Sequence, residues 1–166
     1  MTSSTKPHIV LCHGAWHRAS TFSTLRTVLN SHGFDSTAID LPSTGAQTPH
    51  INTSQDNAII RAVLSKLIRE DNREVILLLL LHSYAGVPGS DACEGLRKAD
   101  RLASNKAGGV VHVVYLASIL VLAGKTIFDV IDSPPWIDTS PSGFAVVTEA
   151  LTRWNAGIMA CPMEQH

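Results

Sequence analysis

The sequence predicts an α/β fold, a doubly wound and mostly parallel sheet with helices on both faces. Three observations carry this expectation. Short apolar runs alternate with longer amphipathic ones along the chain, the order that lays helices across a parallel sheet. Val75–Leu81 is an unbroken apolar run, suited to a strand covered on both faces rather than one with a wet side. His8–Cys12 and Val110–Leu116 are rich in β-branched residues, which pack well on a pleated surface.

His8–Cys12, bounded by Pro7 and by His13-Gly14, reads as the first buried strand. Ser20–Asn30 follows as a helix, with Phe22, Leu25, Val28 and Leu29 at helical spacing and Gly33 just past its end as a stop. Ser36–Leu41 is a second strand closed by Pro42, and Ser43–Asn52 is a loop. Ser54–Glu70 is the clearest helix: Ile59, Ile60, Val63, Leu64, Leu67 and Ile68 form one apolar stripe. Thr53 with Asp56 is read as a variant capping box. Glu74–His82 is the most buried strand and Tyr84–Ser104 the next helix, with Pro88 and Gly89 near its start; proline removes one hydrogen bond unless it sits in the first turn, so an irregular first turn is expected. Val110–Leu116 is a further strand, Lys125–Asp132 a short helix, and Phe144–Met159 a last helical segment. Crossovers between parallel strands are expected to be right-handed.

Composition sets the class. With 166 residues the chain holds one domain, and 45% apolar against 16% charged residues is globular. A net charge of −1 implies no basic face, so neither nucleic acid nor an anionic membrane is an expected partner. Cys12, Cys93 and Cys161 form no Cys-x-x-Cys pair and no disulfide framework. Met1–Pro7 lacks an apolar leader, and the apolar stretches Val75–Leu81 and Val110–Ala123 fall short of the ~20 residues of a membrane helix. These features together predict a cytoplasmic protein.

The sharpest chemical feature is Leu81-His82-Ser83-Tyr84-Ala85-Gly86, between the most buried strand and a helix. A nucleophile elbow presents its serine on such a turn and wants small residues two before and two after it. Ala85 meets the second requirement and Leu81 does not meet the first. By pattern alone, a serine near a helix start is more often simply a helix cap. The helix start would offer the amide of Tyr84 to an oxyanion. The second feature is His13-Gly14-Ala15-Trp16-His17 after the first strand, where Gly14 lets the backbone turn so that the amide of Ala15 can face a bound oxygen. An ordinary strand-to-helix connection would use that glycine equally well. His13 and His17 have the four-residue spacing of zinc ligands on a helix, but they flank a Gly-Ala loop with no glutamate between them, so no metal is expected. The first turn lacks Gly-x-Gly-x-x-Gly, which excludes a dinucleotide site there.

Taken together, the segments His8–His17, Gly33–Pro42, Val75–Asp91 and Gly109–Ala117 resemble the α/β-hydrolase fold superfamily, nearest its esterase and hydroxynitrile-lyase-like branch with many fungal members. The resemblance covers roughly the first 130 residues. It implies that Ser83 is the catalytic nucleophile, that the amides of Ala15 and Tyr84 form the oxyanion hole, and that no cofactor and no metal is needed. It gives Asp40 a structural place at the strand–loop junction. Relatives carry glycine where this chain has Leu81, and often at Ala85. They also place the acid and the histidine on loops beyond later strands, so the resemblance implies that the chain is C-terminally truncated. Residues 1–132 form a partial hydrolase core, and 133–166 a divergent tail where a cap region would begin.

After Ser83 the histidines are His112 and His166. His112 lies among valines and is expected to be a buried, satisfied imidazole. Asp129, Asp132 and Asp138 sit near the right region for an acid but have no histidine to orient. Three readings follow: a serine esterase of small ester or acyl substrates with impaired chemistry, a non-catalytic binding module of the same fold, and an inert truncated fragment. Val110–Leu116, lacking a further strand, is expected to leave an apolar sheet edge open to self-association.

Overall fold

The computed structural model describes residues 6–47, 51–69, 74–132, 137–138 and 146–147, the backbone alone for 74–80 and the last two pairs. Strand β1 (His8–Cys12) is followed by a 3-10 turn (Ala19–Phe22) and helix α1 (Ser23–Ser31). Gly33, at φ +75°, stops α1 as expected, and its amide donates to the Asn30 carbonyl. Strand β2 (Ser36–Ile39), helix α2 (Thr53–Arg69) and strand β3 (Glu74–His82) come next.

A single helix over Tyr84–Ser104 does not form. A 3-10 turn (Ser83–Ala85) leads into α3 (Gly86–Ala92), and α4 (Lys98–Ala103) stands apart. The break is local: Gly95 takes φ +66°, and Arg97 bridges to Val110 at the start of strand β4 (Gly109–Leu116). Backbone pairing to the sheet replaces the helical ladder there. Pro88 falls in the first turn of α3, where its missing amide has no role. The short helix expected over Lys125–Asp132 is a 3-10 turn at Ile127–Asp129. Val146–Val147 (β6) pairs antiparallel with Ile137–Asp138 (β5), which overturns a helix through that part of Phe144–Met159; the rest of that segment lies outside the described residues.

The main sheet is parallel, in the order β2-β1-β3-β4. Every residue of β1 is buried. Val10 and Cys12 share one core cluster with Ile60, Leu64 and Ile68 of α2 and with Ala85, Ala92 and Cys93, while Ile9 and Leu11 are buried on the alternate side of the strand. β4 has no outer partner among the described residues, and Tyr115 and Leu116 are exposed. His112 is exposed as well. The expected buried imidazole is therefore corrected, because β4 is the outermost strand of the sheet among the described residues. No helix among the described residues is long and apolar enough to cross a membrane.

The chain leaves β1 toward β2 on one side, and leaves β3 toward β4 on the other. The carboxyl ends of the neighbouring strands β1 and β3 therefore form a switch point, the place where a crevice opens in a doubly wound sheet.

Candidate active site

Both sequence motifs lie at this switch point. Ser83 follows β3 directly and opens the 3-10 turn with φ +56°, a conformation that costs a non-glycine residue about 1–2 kcal/mol. The surroundings hold it there. The Ser83 amide donates to the Ala117 carbonyl at 3.2 Å, and the Ser83 carbonyl accepts from the Ile119 amide at 2.9 Å and the Ser118 hydroxyl at 3.1 Å. The segment leaving β4 thus straps the turn. Gly86 completes the fit: a Cβ there would overlap the Ile119 carbonyl and the Ser118 hydroxyl.

Leu81 does not crowd the turn. Its side chain is fully buried, and its Cδ2 occupies the space that a Cβ on Gly89 would fill. The bulk two residues before Ser83 is thus accommodated by Gly89 of α3, eight residues further along the chain.

The loop after β1 is pressed against this turn. A Cβ on Gly14 would lie 2.9 Å from His82 Nδ1 and 3.0 Å from Ser83 Cβ, so only glycine lets the two loops meet this closely. His13, 1% exposed, accepts the Leu41 amide at Nε2 (3.1 Å). Its proton therefore sits on Nδ1, which donates to the Gly14 carbonyl at 2.8 Å. The His17 amide donates to the same carbonyl at 3.3 Å. In a trans peptide the carbonyl and the following amide point oppositely, so fixing the Gly14 carbonyl aims the Ala15 N–H away from His13. Among the described residues no hydrogen bond engages that amide. Asp40 approaches His13 Nε2 at 3.9 Å, yet that nitrogen is already accepting, so the contact is no ion pair. Asp40 Oδ1 instead accepts the Ala19 amide at 2.8 Å, the structural place expected of it.

The structure therefore brings the loop that carries Ala15 against the turn that carries Ser83 and Tyr84, at the switch point of the sheet. Two histidines border it. His17 Nδ1 donates to the Ala15 carbonyl at 2.8 Å, and its ring stands edge-on to His82 with centroids 5.9 Å apart. Partial burial and the neighbouring His17 lower the pKa of His82. Other groups stay away. His112 pairs with Ile76, four residues before the end of β4, or about 13 Å at the usual rise per strand residue. Asp129 accepts from the Thr126 amide and hydroxyl as a local cap, which holds its carboxyl below the usual range. No cluster of three or more His, Cys, Asp or Glu suited to a metal ion occurs among the described residues.

Asp56 was missed as part of this region. It does not cap α2 with Thr53; the cap is made by Asn52, whose Oδ1 accepts the Ser54 amide and whose own amide donates to Gln55 Oε1. Asp56 is fully buried and accepts the Ser43 amide, the Ser43 hydroxyl and the Tyr84 hydroxyl. The signal was present: residues 56, 60, 64 and 68 share one helical face, and a carboxylate on the buried face of an amphipathic helix needs partners.

A sequence profile of the alpha/beta hydrolase family matches residues 9–163. The alpha/beta hydrolase nvfD of Aspergillus novofumigatus is 29% identical over 122 residues, covering 74% of this chain and 47% of that protein. The chain spans about half the length of this curated relative.

Proposed function

The chain belongs to the alpha/beta hydrolase family, and from that premise we propose that it is a serine hydrolase of small ester or acyl substrates. Ser83 attacks the acyl carbon, and the amides of Ala15 and Tyr84 receive the developing oxyanion. The observation that carries this reading is the backbone of Ser83, a non-glycine residue at φ +56° between strand β3 and a helical turn. Strain of this kind persists where surrounding structure enforces it, and it concentrates at working sites. The Ala15 amide, aimed by His13 and without a hydrogen bond among the described residues, supports the same reading.

Acylation moves the Ser83 proton to a base, and the departing alkoxide takes a proton up. A serine hydroxyl without a positioned base is a weak nucleophile. In this fold the acid and the histidine follow the nucleophile in sequence. Among the described residues beyond Ser83 the only histidine is His112, on the exposed edge and far along β4. We therefore include slow turnover in the reading. The position of His112 also favours a second reading, a hydrolase fold that binds small acyl compounds without turning them over.

Labelling with a fluorophosphonate probe, with Ser83→Ala as control and mass spectrometry of the adduct, separates the two. A stoichiometric adduct on Ser83, absent in the variant, supports an activated serine. A folded protein that takes no label supports the binding module and ends the hydrolase reading.

A further inference from the structure

Behind the Ser83 turn lies a buried acid to which the reaction assigns no task. Asp56 is 0% exposed, and its donors are neutral: the Ser43 amide at 2.9 Å, the Ser43 hydroxyl at 2.5 Å and the Tyr84 hydroxyl at 2.6 Å. Such a carboxylate is tolerable only because several donors and the first turn of α2 face it. Those donors come from two separate loops, one after β2 and one after β3. A single side chain thus joins α2, the loop at Ser43 and the turn at Ser83.

Tyr84 gives this junction a consequence. Its N–H belongs to the same peptide as the Ser83 carbonyl, which Ile119 and Ser118 hold from one side. On the other side the rigid phenol ring runs to Asp56. The peptide is therefore suspended between two anchors. We propose that Asp56 is a positioning residue that, through the Tyr84 hydroxyl, holds the Tyr84 amide where the oxyanion forms. The proposal rests on the reading of Ser83 as nucleophile.

The test is saturation kinetics of fluorophosphonate labelling, which separates the maximal rate (kinact) from probe affinity (KI). Tyr84→Phe and Asp56→Ala should each lower kinact about tenfold, less than the roughly 100- to 1,000-fold expected from deleting an oxyanion donor. KI should stay within about twofold, since ground-state binding does not use the oxyanion contact. Because both changes cut one link, the double variant should be no slower than the slower single. Asp56→Asn keeps an acceptor for Tyr84 and should retain most of the rate. If Asp56→Ala does not fold, Tyr84→Phe and Asp56→Asn decide the matter. A Tyr84→Phe protein that melts lower but keeps the wild-type kinact shows a mere staple and overturns the proposal. So do single effects that multiply in the double variant. Wild-type protein that takes no label at Ser83 overturns the hydrolase reading together with this one, whereas a labelled wild type with unaffected variants overturns this one alone.

Discussion

Replacing Gly14 with alanine tests how closely the two loops of the crevice meet. The new Cβ would stand 2.9 Å from His82 Nδ1, 3.0 Å from Ser83 Cβ and 3.2 Å from the His82 carbonyl oxygen. Carbon atoms prefer about 3.5–4.0 Å, so one side must retreat by about 0.5–1 Å. The turn at Ser83 is held by three hydrogen bonds to residues 117–119, and two of the blocking atoms belong to its backbone or sit beside it. The Gly14 loop is therefore the side that moves, carrying the Ala15 amide with it. Losing an oxyanion donor outright costs roughly 100- to 1,000-fold, so a partial displacement should slow labelling of Ser83 by about 10- to 100-fold. Overpacking of this kind also costs about 1–3 kcal/mol of stability, read as a drop in Tm. Gly33→Ala serves as control: Gly33 has φ +75° and a Cβ there would meet only Lys6 Nζ at 3.4 Å. It should lose about 1 kcal/mol through backbone strain and keep its labelling rate. Circular-dichroism melts and time-resolved labelling of both variants are the assays. If Gly14→Ala labels as fast as wild type, or if Gly33→Ala slows equally, the loops do not meet at Ser83 and the reasoning fails.

Two further outcomes follow from the same geometry. Leu81→Ala should cost about 2–5 kcal/mol as a cavity change and Gly89→Ala about 1–3 kcal/mol as overpacking, while the double variant should cost less than the sum by at least about 0.5 kcal/mol; additive urea-unfolding energies would show that the two residues do not share that space. Burial first, and the neighbouring His17 second, lower the pKa of His82 below its ordinary 6.5. The unfolded chain therefore takes up the proton more readily, so stability is full above about pH 6.5 and declines as pH falls through the folded-state pKa. His82→Gln should flatten that acid limb of the Tm profile, and an unchanged limb would remove His82 as its source.

The sequence by itself determined most of the scaffold. The β-branched content of His8–Cys12 and the unbroken run Val75–Leu81 made both central strands legible to the residue, because a short apolar run bounded by polar and turn residues marks both of its own ends. The turn at Ser83 and the glycine at residue 14 were legible for a related reason: a sharp change from strand to helix requires particular residues at fixed places. The length of the helix after Ser83 was not legible, since a lone glycine such as Gly95 does not by itself end a helix, and here it does so together with the pairing of Arg97 to Val110 in the sheet. Nor was the exposure of His112, which depends on which strand ends up at the edge of the sheet. Only the tertiary structure decided how the crevice is held. The packing of Leu81 on Gly89, the strap from residues 117–119 and the bond from Tyr84 to Asp56 join residues 8 to 36 positions apart. Local preference can ready a turn or a helix, but contacts across that separation exist only once the sheet has fixed where each loop stands.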